Sequence, residues 1–264
     1  MTGRLVATDP DNPNDDPKVK NYPLRSIVGI LLYMTNTRYD LKYAVNQLAR
    51  YVSNPNIDHV NAANKLLQYV KGTIDYGITF GIGPKEIRKF IDNDNVTGKE
   101  WKGLVAFADS DFAGDIDTRR SVRGFIIYYN GDPISSKSKL DTTVSLSTGG
   151  AEVSALALLV QEVIWLRLLF QELGDTDIAT TPTPIFEDNE SCIKMVKEPS
   201  QLHSRTKHLA IRKHWIHDQI RHKNIRIIHI KTHKQIADIF TKPLASGNFE
   251  KLRRYITHSG LAIT

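Results

Sequence analysis

The sequence predicts an α/β fold: a mixed five-stranded sheet flanked by helices and preceded by a small helical segment. Three observations carry that prediction. Short apolar, β-rich runs recur at 104–108, 122–129, 133–137, 184–186 and 225–230. The stretch 151–173 is apolar on nearly every side, as a helix sandwiched in a core would be. Before residue 81 the apolar residues recur at helical spacing instead.

Taken in order, residues 1–20 are polar and rich in Asp and Pro, bury too little to order themselves, and lack the pattern of a signal or transit peptide. A flexible leader is expected there. Residues 21–80 read as a helical unit. Its first helix covers 24–34. A second starts at Asp40 with Leu41, Ala44, Val45, Leu48 and Val52 on one stripe, and a third is capped by Asp58 and ended by Lys71-Gly72. Gly, Pro, Asn and Asp without period mark 81–102 as a linker. From 103 to 264 a second domain is expected. Asn130-Gly131 joins two strands as a hairpin, Ser147-Thr148 opens the long helix, and a helix with Ile193 and Met195 follows the fourth strand. A basic helix at 206–220, a short helix at 236–244 and an amphipathic piece with Phe249, Leu252 and Ile256 complete it.

Composition bounds the function. A single cysteine, Cys192, excludes an internal disulfide and a cysteine-rich zinc site, and fits a reducing compartment. The most apolar stretch, 155–170, is broken by Gln161, Glu162 and Arg167, so no bilayer-spanning segment and no membrane partner is expected. The net charge of +6 is unevenly spread: between Lys197 and Lys234 stand ten lysines and arginines, two acids and seven of the nine histidines. A basic band beside an acidic constellation suits a polyanion held across a metal site.

That constellation is read from four isolated acids at element boundaries. Asp109 is expected at the tip of the first strand, Glu152 near the start of the long helix, Asp188 at the tip of the fourth strand and Asp238 in the first turn of the helix after the fifth. In an open α/β sheet these positions fall at one edge, where ligands bind. Carboxylates converging without basic partners repel one another and call for a hard divalent cation.

Seven runs stand in a recognisable order. They are Leu24-Arg-Ser-Ile-Val-Gly-Ile-Leu-Leu-Tyr33, Leu66-Leu-Gln-Tyr-Val-Lys-Gly-Thr73, Ala108-Asp-Ser-Asp-Phe-Ala-Gly-Asp115 and Leu146-Ser-Thr-Gly-Gly-Ala-Glu152, then Asp188-Asn189, Arg205-Thr-Lys-His-Leu209 and Ala237-Asp-Ile-Phe-Thr-Lys-Pro-Leu244. With them the chain resembles the C-terminal end of copia-type (Ty1/copia) LTR-retrotransposon Pol polyproteins. The resemblance implies a ribonuclease H-like domain over 103–264 behind a thumb- or connection-like helical segment. It implies two Mg²⁺, or Mn²⁺ in their place, held by Asp109, Glu152, Asp188 and Asp238, and hydrolysis of the RNA strand of an RNA–DNA hybrid. It also implies a reverse transcriptase palm and fingers module as partner, and a cytoplasmic particle or the nucleus as location. His233, five residues ahead of Asp238, is the candidate for assisting the leaving group. Ser147, Thr148 and Asn189 are candidates for sugar or phosphate contacts. Arg119, Arg120, Arg205, Lys207, His208, Arg212 and Lys213 are candidates for phosphate contacts.

The chain departs from the family where Arg38-Tyr39-Asp40 replaces Arg-Pro-Asp, Ser136 replaces Trp, Leu140 replaces Gln, and Gly150-Ala-Glu-Val153 replaces Glu-Ala-Glu-Tyr. The polymerase motif Tyr-x-Asp-Asp is absent from it. Two other functions stay open on the sequence: a catalytically silent remnant that binds nucleic acid or docks a partner, and another nuclease on the same fold.

Overall fold

The computed structural model describes residues 3–9, 16–81, 87, 103–198 and 207–259. After the short α1 (Pro17–Lys20), α2 (Leu24–Met34), α3 (Lys42–Ala49) and α4 (Ile57–Gly72) bury Leu31, Leu41, Val45, Leu48 and Ala63 in one small core. The cap of α4 is Asn56 rather than the expected Asp58. Its side chain accepts from the Asp58 and His59 N–H groups while His59 Nδ1 accepts from the Asn56 N–H, a reciprocal capping box that Asp58 could not form. Between α2 and α3 the buried Arg38 grips Asp40 through Nε (3.0 Å) and Nη2 (2.8 Å) and donates to Thr73 O (2.9 Å), and Tyr69 Oη donates to Asp40 (2.7 Å). Arg38 and Asp40 thus tie the loop after α2 to the end of α4, and Tyr39 between them is free to point elsewhere.

The two-residue strand β1 (Tyr76–Gly77) follows. The main sheet then opens with the antiparallel strands β2 (Leu104–Asp111), β3 (Val122–Tyr129) and β4 (Asp132–Leu140). Asn130 and Gly131 both have positive φ, as a two-residue hairpin loop requires. β5 (Thr183–Glu187) and β6 (Ile225–His229) add parallel to β2, for an order β4-β3-β2-β5-β6. Side chains alternate along central β2. Leu104, Ala106 and Ala108 pack under the long helix α5 (Thr148–Glu172), while Val105 and Phe107 face the C-terminal residues Ile236, Phe240, Leu252 and Ile256. The short helices α6 (Thr176–Thr180) and α7 (Glu190–Lys197), the basic α8 (Lys207–Arg221) and α9 (Ser246–Arg253) complete the layers, and β7 (His258–Ser259) returns to pair with β1. This is the mixed, helix-flanked five-stranded sheet expected.

The helical unit lies along β4, whose outer edge has no strand neighbour among the described residues. Tyr39 Oη, Lys42 Nζ and Asn46 Nδ2 donate to the carbonyls of Ile134 (3.1 Å), Ser136 (2.6 Å) and Ser138 (2.9 Å). Donors one helical turn apart meet carbonyls two strand residues apart, so a helix face satisfies groups that a bare edge would leave open.

Residues 3–9 of the expected leader also make contacts: Ala7 N–H donates to Asp117 and Thr8 Oγ1 to Asn54 O. The expected linker lies outside the described residues apart from Gly81 and Ile87. Ile87 is buried in the core with Phe107 and Tyr128.

One expectation needs correction. By length and composition α5, at 25 residues, is long and apolar enough to cross a membrane, despite Gln161, Glu162 and Arg167. More than half of its most apolar window is buried inside the fold. Its polar residues are used there: Glu162 accepts from Ser135 Oγ, and the buried Arg167 donates to Thr181 O and Thr183 Oγ1. Its hydrophobicity is that of a core helix.

Candidate active site

The acids meet at one end of the sheet because of strand register. Phe107 on β2 pairs with Phe186 on β5, so Asp109 and Asp188, each two residues farther on, come to the same end of adjoining parallel strands. Asp109 is not at a strand tip as expected. Antiparallel pairing with β3 runs on to Asp111, which places Asp109 inside β2 opposite Gly124, and it is buried. Asp238 sits in a 3₁₀ turn, Ile236–Phe240, where a helix to residue 244 was expected. Pro243 disfavours helical backbone at the residue before it, so the turn stops short. Two contacts hold that turn on β2, Gln235 Nε2 donating to Ala108 O (2.8 Å) and Thr241 Oγ1 donating to Asp109 Oδ2, while Thr241 N–H closes the turn itself by donating to Asp238 O (3.2 Å). Glu152 is buried near the start of α5, whose cap is Ser147 accepting from Gly150 N–H (3.1 Å).

A fifth acid joins them. Glu187, the last residue of β5, is wholly buried, with one carboxylate oxygen accepting from Asn189 N–H (3.1 Å). Burial, and then the charge of Glu187, pushes the Glu152 carboxyl up to about 11. Burial raises Glu187 and Asp109 as well, and raises Asp238 to about 7, with Asp109 the next cause. The opposing charge is Lys242, whose Nζ stands 2.8 Å from Asp238 Oδ1 and 3.7 Å from Asp109 Oδ2. Burial lowers the lysine, but the two aspartates outweigh it and its ammonium is raised.

Among the described residues no three acids, histidines or cysteines are drawn together closely enough to grip a single ion. The donor set nonetheless fits a hard cation. All its donors are oxygens, and the buried Oε2 atoms of Glu152 and Glu187 have no hydrogen-bond partner.

No family model matches the chain. It is 37% identical over 232 residues to the retrovirus-related Pol polyprotein from transposon RE2 of Arabidopsis thaliana, covering 88% of this chain and 15% of that one. It is 33% identical over 235 residues to the corresponding polyprotein from transposon TNT 1-94 of Nicotiana tabacum, covering 89% and 16%. The chain belongs to the copia-type retrotransposon Pol polyproteins. It spans about one-sixth of the length of these relatives. Among solved structures it is similar to LC11-RNase H1, isolated from compost by a metagenomic approach, at 17% identity and a TM-score of 0.39, over 57% of this chain and 98% of that one.

The other residues expected to make contacts lie on several elements of this Pol segment. His233 is exposed in the 3₁₀ turn Thr232–Lys234. Ser147 and Thr148 are exposed at the start of α5, and Asn189 caps α7 by accepting from Cys192 N–H (2.9 Å). Arg119 and Arg120 lie in the turn between β2 and β3, Arg119 with positive φ. Arg212, half-buried on α8, donates to Ser154 Oγ (2.6 Å), two residues along α5 from Glu152. Lys213 is half-buried and His208 exposed on the same helix. Lys207 is its first residue, and Arg205 lies outside the described residues.

The residues missed on the sequence are Glu187, Thr241 and Lys242. Lys242 had a signal: it follows Asp238 by four, the spacing of an acid–lysine pair on a helical turn. Glu187 had a weaker one, an acid at the core-facing position next to Asp188.

Two outcomes are expected of this arrangement in the Pol segment. A Cβ on Gly124 would stand 2.6 Å from Thr241 Cγ2 and 2.7 Å from Phe240 Cβ, so Gly124→Ala should push the Asp238 turn off β2. The cost expected of such overpacking is about 1–3 kcal/mol by urea denaturation; unchanged stability would contradict it. The second outcome concerns pH. The native Asp238 carboxyl keeps its proton from its ordinary value of 3.8 up to about 7. Its contribution to metal-free stability is therefore complete below the lower value and lost as pH rises through the upper one. In EDTA, the melting temperature of the wild type relative to Asp238→Asn should fall between pH 4 and 8, and a flat difference would contradict the assignment.

Proposed function

We propose that this chain is a metal-dependent ribonuclease H that cuts the RNA strand of RNA–DNA hybrids during reverse transcription. The observation that carries this reading is the gathering of Asp109, Glu152, Asp188 and Asp238 at one end of the sheet, with buried carboxylate oxygens left unpartnered. These four would hold two Mg²⁺, with Mn²⁺ as a substitute, and Glu187 would press on Glu152 from below. When bound, the ions supply water activation and stabilisation of the leaving 3′ oxygen, which gives 3′-hydroxyl and 5′-phosphate ends.

The chain's own residues hold and orient the substrate. Arg212, Lys213, Lys207 and His208 on α8 offer cations to one strand, Arg119 and Arg120 offer them from the turn after β2, and Arg205 is a further phosphate contact proposed from the sequence. These contacts are to phosphate, so binding is expected to weaken with salt regardless of sequence. Ser147, Thr148 and Asn189 are the hydroxyl and amide groups proposed to meet a ribose 2′-OH. His233, exposed ahead of Asp238, is the residue proposed to assist departure of the product. A reverse transcriptase palm and fingers module is the partner proposed for the helical unit, and a cytoplasmic particle or the nucleus the location.

A second reading, a docking or nucleic-acid-binding module without catalysis, is favoured by exposed apolar residues on α2, Ile30 and Tyr33. Substrate comparison separates the readings. Labelled RNA–DNA hybrid, RNA duplex and DNA duplex are incubated with protein and MgCl₂. Cutting confined to the RNA strand of the hybrid supports the nuclease. Binding without cutting supports the second reading.

A further inference from the structure

The ammonium of Lys242 sits where a cation shared by Asp109 and Asp238 would sit. Its Nζ is 2.8 Å from Asp238 Oδ1 and 3.7 Å from Asp109 Oδ2, and Thr241, the residue before it, donates to Asp109. The backbone fixes this approach, since Thr241 and Lys242 N–H groups both donate to Asp238 O (3.2 and 3.3 Å). The side chain is not locked, however. It is about one-third exposed. It also lines a cavity of about 290 Å³ between the helical unit and the C-terminal residues, together with Tyr43, Ala44, Tyr69, Leu244 and Phe249. A lysine is a flexible stem carrying a compact charge, so the ammonium can leave the acids while its methylenes stay against these apolar walls.

We propose that Lys242 is a displaceable counter-cation: it neutralises Asp109 and Asp238 in the metal-free protein, and a divalent cation enters that position by exchanging with its ammonium. The inference rests on the metal-dependent reading above and assigns a residue to the control of metal affinity. Two like charges cannot share one pair of carboxylates at these distances, so metal binding must work against the ion pair that already exists. Lys242 is accordingly a positioning residue, acting on the acids rather than on substrate. Removing its charge should tighten metal binding, whereas a lysine that merely pre-arranged the acids for metal would loosen it when removed.

The test needs no substrate. Calorimetric titration of MgCl₂ and of MnCl₂ into wild type, Lys242→Met and Lys242→Arg compares affinities directly. The Met variant keeps the stem and loses the charge, and is expected to bind roughly ten- to a hundredfold more tightly, the usual scale for residues next to metal ligands, and to melt lower in EDTA. The Arg variant should stay at wild-type affinity or below. A second measurement uses the wild type alone: reductive methylation read by mass spectrometry should label Lys242 faster in MgCl₂ than in EDTA. Equal or weaker binding by Lys242→Met, or labelling that metal does not accelerate, would overturn the proposal. If the wild type still binds metal and cuts hybrid in that case, the nuclease reading stands without it. If no variant binds metal, both fall.

Discussion

Asp109→Asn is expected to abolish cleavage of the RNA strand while raising the melting temperature of the metal-free protein. Both effects come from one carboxylate. Asp109 is buried inside β2, and burial is the first reason that its carboxyl is raised, with the charge of Asp188 acting in the same direction. An amide of the same shape can still accept from Thr241 without demanding a counter-charge. The native state therefore loses an electrostatic liability, as active sites often do when their acids are neutralised. The catalytic loss follows from the same change, because the amide is a poor ligand for a hard divalent ion. A metal contribution of several kcal/mol, at about 1.4 kcal/mol per factor of ten, sets the expected loss at roughly a thousandfold. Hybrid cleavage rates and EDTA melting curves on the same preparation check the pair of effects. Lower stability together with retained cleavage would contradict the site.

The second large effect lies away from the acids. Arg38→Ala should cost about 3–5 kcal/mol, because it strands Asp40 as an unpaired buried charge. At the usual sensitivity of a protein of this size, that corresponds to a fall in melting temperature of roughly 6–20 °C. Arg38 fills both carboxylate oxygens of Asp40 and also reaches Thr73. Arg38→Lys should rescue only part of the loss, since a single ammonium cannot make the two-pronged contact. The double variant Arg38→Met/Asp40→Leu should be less damaged than Arg38→Ala, because neither charge is then abandoned. A single-variant cost below about 1 kcal/mol would show the pair to be dispensable, as surface pairs are. The same contact explains a departure from the family pattern. Arg38 and Asp40 are the paired ends, whereas Tyr39 turns into the neighbouring core and donates to Ile134 O, a position whose demands differ from theirs.

Much of the fold was legible because its signals are local. α2 spans 24–34 as its apolar run implied, the Asn130-Gly131 turn joins β3 to β4, and Ser147 caps α5. What stayed hidden depends on contacts distant in sequence. That β2 continues through Asp109 to Asp111 follows from its pairing with β3, which no pattern within β2 reveals. The pairing of Tyr76–Gly77 with His258–Ser259 has no periodicity to read at two residues per strand. The seam in which Tyr39, Lys42 and Asn46 meet the carbonyls of β4 joins two units that the sequence separates by a stretch without period. At the site, four acids could be named in advance because each stands at the edge of an apolar run in the sequence, although Asp109 lies within β2. Glu187 could not, because its importance lies in being buried beside Glu152 on the α5 side of the sheet. The spacing of Lys242 from Asp238 pointed to that one pairing only, and the approach of its turn to β2 is what also brings it to Asp109.

The central claim is that these carboxylates form a metal-dependent nuclease site. It is tested most directly by following cleavage of a labelled RNA–DNA hybrid by wild type and Asp188→Asn, in MgCl₂ and in EDTA, with the fold of each protein verified by its melting curve. Asp188 is half-exposed and carries the least structural burden of the four acids, so its amide variant should fold as the wild type does. The account predicts RNA-strand cleavage by the wild type in MgCl₂ alone, and none by folded Asp188→Asn in either condition. Cleavage that persists in EDTA, or that the variant retains in full, would contradict it.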